Sequence, residues 1–138
     1  MAGLAAERNT PKRASEGALS QYFKLQMKAS TTIYKGGLVV VDNTTGLAEP
    51  ATATTGKTPV GVAEETVTSA SSGTYMIQVR RGTFLFANKS GDLVTTAMLG
   101  RALAYVEDDQ TVRATATSTI AAGRVIEVET AGVWVEIY

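Results

Sequence analysis

The chain has no cysteine, no histidine and only three prolines, and it has no apolar run near the ~20 residues of a membrane-spanning helix. The missing cysteine removes disulfides, thiolate nucleophiles and sulfur-bound zinc together, and it leaves the redox compartment open. Without cysteine or histidine, a hydrolase would need Ser-Lys, Thr or paired-carboxylate chemistry, and no Ser or Lys sits in a recognisable catalytic motif. The opening residues, Met1 to Arg8, lack the apolar stretch of a secretory signal, so a soluble cytoplasmic product is expected.

Large apolar side chains are also sparse. Leu, Ile, Val and Phe total 31 of 138 residues, while Ala and Thr supply twenty each. Ala removes little area from water at roughly 25 cal/mol per Å2, so the core is expected to be thin and association with other chains to stabilise it. Charge is balanced overall but unevenly placed. Residues 1–28 hold Arg8, Lys12, Arg13, Lys24 and Lys28 against Glu7 and Glu16, a net +3, and the remainder is −3. A net charge of zero with this apolar content argues for a folded chain of one domain.

Residues 1–19 show neither helical nor strand periodicity and read as a basic arm, disordered until a partner orders it. From Ser20 to Lys28, Phe23, Leu25 and Met27 alternate with Tyr22, Lys24 and Gln26, the pattern of a half-buried strand suited to docking on a sheet edge. Short Val/Thr-rich runs then alternate with turns at Lys35-Gly36-Gly37, Asn43 to Gly46, Glu107 to Gln110 and Thr130 to Gly132. Tyr75, Ile77 and Val79 keep a two-residue period, and Thr95 to Leu99 before Gly100 reads as one helical turn. The pattern predicts a mainly β chain: eight to ten short strands in a small antiparallel barrel or sandwich-like domain over 29–138, an extended arm over 1–28, and at most one short helix.

Gly56-Lys57-Thr58 ends like a phosphate-binding loop, but Ala51 stands where that loop needs Gly, and Pro59 and a strand follow. Glu107-Asp108-Asp109 lacks the alternating spacing of a calcium loop and reads as a solvated turn. Arg80 and Arg81 lie on opposite faces of one strand, and Trp134 and Tyr138 share a face opposite Val133, Val135 and Ile137. The basic arm with Tyr22, Phe23 and Tyr34 gives a second reading, a single-stranded nucleic-acid-binding barrel, against which the acidic domain counts. Ala51 to Thr55, Thr66 to Gly73 and Ala114 to Gly123 are nearly all Ala, Thr, Ser and Gly without charge; they fit either flat protein contacts or flexible loops.

Several segments in order carry a resemblance: 29–42 (ASTTIYKGGLVVVD), 60–65 (VGVAEE), 79–88 (VRRGTFLFAN) with Ser90-Gly91-Asp92, 108–112 (DDQTV) and 132–137 (GVWVEI). Together they resemble the capsid cement, or head-decoration, proteins of tailed bacteriophages. The resemblance implies a β-tulip-like domain, no catalysis, no cofactor and no metal. It also implies a place on the outer capsid surface, made in the bacterial host cytoplasm, where the chain bridges neighbouring major capsid subunits. Family members occur as monomers, dimers and trimers, and a homotrimer is the expectation here. On this reading Arg8, Lys12, Arg13, Tyr22, Phe23, Leu25 and Met27 touch the capsid, and Arg80, Arg81, Trp134 and Tyr138 touch neighbouring copies.

Overall fold

The computed structural model describes residues 3–13, 22–99 and 102–137. Strand makes up 50% of it and helix 2%. In chain order the strands are β1 (Lys12–Arg13), β2 (Tyr22–Gln26), β3 (Thr32–Ile33), β4 (Leu38–Asp42), β5 (Ala48–Pro50), β6 (Lys57–Ala63) and β7 (Val67–Thr68). Then follow β8 (Met76–Arg80), β9 (Gly82–Asn88), β10 (Leu103–Val106), β11 (Thr111–Arg113), β12 (Ala121–Glu129) and β13 (Gly132–Ile137), with a 3-10 turn at Thr96–Met98.

The small β-barrel expected from the sequence is present. β9, β11, β10, β12 and β13 neighbour one another in that order, and β13 returns to β9, which closes a five-stranded barrel. Its interior follows the two-residue period: Phe84 and Phe86 from β9 meet Val133, Val135 and Ile137 from β13, with Val106, Val112 and Val125. Each fully buried Val removes roughly 1.5 kcal/mol of unfavourable hydration. One pairing departs from the antiparallel expectation. β11 runs parallel to β9, with Thr111 opposite Ala87 and Val112 opposite Asn88, because the β10–β11 hairpin returns the chain alongside β9 in its original direction. The described residues also contain more strands than the eight to ten expected, since pieces of two or three residues carry too little pattern to register.

A second sheet, ordered β2-β8-β6-β4-β5, packs on the barrel. Its strand β4 is an unbroken apolar run because both faces are buried. Leu38 and Val40 join the barrel core, while Val39 joins a second core with Met27, Ile33, Ala63, Ile77 and Val79. The sheet curls until its edges touch: Met27 bridges Ala48, and the Lys28 N–H donates to the Ala48 carbonyl at 2.9 Å. A thin supply of large side chains is thus divided between two small cores.

The N-terminal segment departs from the expectation of a disordered arm. Residues 3–13 lie across the domain as a strap. The Leu4 N–H donates to Asp109 Oδ1 at 2.8 Å, the Arg8 N–H to the Lys35 carbonyl at 3.1 Å, and the Leu85 N–H to the Pro11 carbonyl at 3.0 Å. β1 then pairs with β9 at Phe84 and Thr83. Backbone hydrogen bonds need no periodic apolar pattern, so this attachment leaves no trace that a hydropathy reading detects. The strap also explains Gly36. Its φ is +89°, and a Cβ there would stand 2.3 Å from the Arg8 carbonyl oxygen. The docking strand likewise belongs to the domain as β2, paired along its length with β8; Ser20 and Gln21 lie outside the described residues.

Candidate interaction faces

The polar cluster closest to reactive chemistry joins three strands. Lys57 Nζ on β6 donates to Asp42 Oδ2 on β4 at 2.6 Å and lies 3.1 Å from Glu49 Oε1 on β5. Asp42 also accepts the N–H groups of Thr44 and Thr45 at 2.8 and 3.2 Å. The Lys57 hydrogen bond, with those two backbone donors, lowers the Asp42 carboxyl to about 2, and the same bond raises the Lys57 ammonium. An attacking amine would have to be neutral, and both shifts favour the charged forms. The cluster is a clamp across β4, β5 and β6, and Lys57 sits in a strand, not in a phosphate-binding loop.

Glu107-Asp108-Asp109 is not the solvated turn its composition indicated. Glu107 Oε1 pairs with Lys89 at 3.0 Å and Arg113 at 2.8 Å, and the Lys89 hydrogen bond leads in lowering its pKa. Asp108 and Asp109 are 9% and 5% exposed. Asp108 Oδ1 accepts the Gln110 N–H, closing the hairpin at 3.0 Å, and its Oδ2 is buried without a hydrogen-bond partner. Asp109 anchors the strap. Burial raises its pKa against the opposing pull of the Leu4 N–H and the Arg8 guanidinium. Arg8 in turn reaches the Leu85 carbonyl at 3.4 Å, so it staples the strap down instead of facing a partner. Tertiary covering by residues 3–8 converts an acidic loop into an internal anchor.

The structure places the residues assigned to partner contacts unequally. Phe23, Leu25 and Met27 point into the second core, which makes them packing residues. Trp134 is buried within the chain, so its ring offers little to a neighbour. The backbones of Lys12 and Arg13 form β1, their side chains lie outside the described residues, and so does Tyr138. Tyr22 stays outward, 46% exposed, and the β2–β8 register sets it directly opposite Arg80. The Arg80 guanidinium carbon lies 4.7 Å from the Tyr22 ring centroid, and its Nε is buried without a hydrogen-bond partner, Glu64 Oε1 being 4.0 Å away. Arg81, on the opposite face, covers the Phe23 ring at 5.2 Å.

The outer β2–β8 face therefore presents Tyr22, Lys24, Gln26, Met76, Gln78 and Arg80 together. Exposed Tyr, Met and Arg are the side chains enriched in protein contacts. Among the described residues, β2 is an edge strand whose outer side is open from Tyr22 to Gln26. Under the strap, at the Arg80 end of β8, lies a cleft of about 390 Å3 lined by Arg8, Lys35, Gly36, Glu64, Arg80 and Phe84. Two contact sets assigned separately from the sequence, Tyr22 and Arg80, thus form one face.

A second exposed feature has no counterpart among the assigned residues. At the end of the barrel where β9 and β11 both finish, Leu93 and Leu99 stand exposed. A run without charge from Leu93 to Leu99 was the available sequence signal, hidden because its centre reads as a helical turn. Comparison with protein-family models, curated proteins and solved structures finds no match to this chain.

Proposed function

We propose that the chain is a structural virion protein that decorates the outer surface of a phage-type capsid and reinforces it by bridging neighbouring major capsid subunits. The reading rests on the ordered resemblance of the segments at 29–42, 60–65, 79–92, 108–112 and 132–137 to capsid cement proteins. The structural observation that supports it is the β2–β8 face, where an exposed Tyr, an exposed Met and a stacked Arg adjoin an open strand edge. An open edge offers main-chain hydrogen bonds to an extended segment of a partner, and alternate side chains supply its selectivity. Many copies on one lattice oppose its rupture jointly, so each contact need only be moderate.

Cosedimentation with purified, undecorated expanded capsids tests this. Saturable binding, and capsids that withstand a higher temperature once decorated, are the expected results. Failure to bind, or decorated and bare shells rupturing together, overturns the proposal. A steep salt-dependent affinity for single-stranded oligonucleotides would instead favour the nucleic-acid reading.

A further inference from the structure

The cleft beneath the strap gathers cations that the fold leaves short of partners. Arg8 stands in the strap, Lys35 in the turn before β4 and Arg80 at the end of β8, and all three line it. Among the described residues one carboxylate, Glu64, shares the lining, while Glu7 borders the adjoining hollow of about 260 Å3. Three positive charges thus stand against one negative charge. Glu16 is the one acid among residues 14–21, and counting it in would not reverse that sign.

Each cation is held where the chain does little to neutralise it. The Arg80 guanidinium stacks on the Tyr22 ring at 4.7 Å, which covers one of its faces and leaves its in-plane N–H groups for acceptors. Its Nε meets none among the described residues, and Glu64 Oε1 at 4.0 Å is beyond hydrogen-bond reach. Arg8 reaches the Leu85 carbonyl at a long 3.4 Å. Burial lowers its pKa, a cost that the attraction of Asp109 opposes without cancelling. Lys35 is fixed through its backbone: its N–H donates to Thr66 Oγ1 at 2.9 Å and its carbonyl accepts the Arg8 N–H at 3.1 Å, while its side chain stays exposed. The Thr10 hydroxyl donates to the Gly36 carbonyl, so the strap wall is braced before any ligand arrives.

We propose that this cleft binds a phosphate group, free or as the ester of a small molecule. Arginine presents paired planar donors that match phosphate oxygens, and lysine adds a mobile point charge. Three cations around one carboxylate are balanced by a dianion, whereas a carboxylate ligand would leave one of them uncompensated. At about 390 Å3 the cleft falls in the size range of small-molecule sites, so it admits an organic group attached to the phosphate. The inference does not depend on a capsid being the partner.

Amide-resolved NMR titration of the full chain with inorganic phosphate and with glycerol phosphate, at constant ionic strength, tests it. Saturable shifts at the amides of Arg8, Gly36 and Glu64 are expected, with a dissociation constant of about 1 mM or tighter and a much weaker response to acetate. The tighter of the two phosphates tells a free ion from an esterified one. Lys35→Gln and Arg80→Gln should each weaken binding at least about tenfold, the loss expected for one hydrogen bond between charged groups. Lys24→Gln, the same charge change on the outer face of β2, should leave it unchanged. Circular dichroism verifies folding, and Lys35→Gln, at an exposed position, decides the matter if Arg80→Gln unfolds. Shifts that do not saturate by about 20 mM overturn the proposal. So does equal affinity for acetate, wild-type affinity in Lys35→Gln, or an equal loss in Lys24→Gln.

Discussion

Arg80 lies over the ring of Tyr22, 4.7 Å from its centroid, directly across the β2–β8 register. The pair joins an edge strand to its neighbour β8 on an exposed face, so its contribution to folding is small, under about 1 kcal/mol for an exposed cation–π contact. Replacing Tyr22 with Ala should therefore leave the melting temperature nearly unchanged and weaken capsid binding at least about tenfold. Thermal denaturation and cosedimentation on the same variant separate the two effects. Equal loss of stability and binding would place Tyr22 among the structural residues.

Asp109 should contribute more to the stability of the fold in acid than at neutral pH. Burial raises the Asp109 pKa, so the folded state takes up a proton more readily than the unfolded one. That contribution is fully present below the unfolded value, about 3.9, and is lost as pH rises through the higher folded value. Chemical denaturation of the wild-type chain is expected to show this contribution near pH 4 and its loss near pH 7, set against the same measurement on Asp109→Asn. Asp109→Asn keeps an acceptor for the Leu4 N–H and should flatten this dependence. Asp109→Ala removes the acceptor, costs about 1–3 kcal/mol, and frees the strap at both pH values.

The Asp42–Lys57 clamp has the opposite sign. Its carboxyl is lowered to about 2, so its stabilisation is present above the unfolded pKa and disappears as pH falls through the folded value. Melting temperatures of wild type and Asp42→Asn should differ at neutral pH and converge as the pH approaches 2. A gap that persists at the acid end would mean that Asp42 acts through its two turn hydrogen bonds and not through its charge.

At Gly123 the backbone of β12 lies tight against β13. A Cβ there would stand 2.1 Å from the Glu136 carbonyl oxygen, with backbone on the blocking side. Gly123→Ala must push two barrel strands apart and is expected to cost more than about 2 kcal/mol, read by chemical denaturation. Gly46→Ala meets open space at a φ of +74° and should cost only the backbone strain of that conformation, about 1 kcal/mol. Equal costs would show that the close approach at Gly123 adds nothing to the change.

The β2 strand shows how far periodicity carries. The alternation of Phe23, Leu25 and Met27 with Tyr22, Lys24 and Gln26 gave the strand and its two faces correctly, because a side chain's face depends only on its own chain's pleat. What lies against each face is a matter of partners distant in sequence. Phe23, Leu25 and Met27 were assigned to a capsid, yet β8 and the ribbon of β3 and β7 close a core over them. On the proposed reading, the capsid contact falls to the opposite face, where Tyr22 and Arg80 lie.

The acidic hairpin shows the same limit from the other side. Glu107, Asp108 and Asp109 specify a turn by local hydrogen-bonding chemistry, and the turn is there, with Asp108 capping Gln110. Whether such a turn is wet or dry depends on what crosses it, and residues 3–8, about a hundred positions earlier, do. Composition, turn residues and a two-residue period determined by themselves that this chain is a small, mainly β domain of barrel or sandwich type, since these are local properties of backbone and side chain. The closure of β13 on β9, the parallel entry of β11, the burial of Asp109 under the strap and the meeting of Tyr22 with Arg80 were decided only by tertiary structure, because each joins segments whose sequences carry no mark of one another.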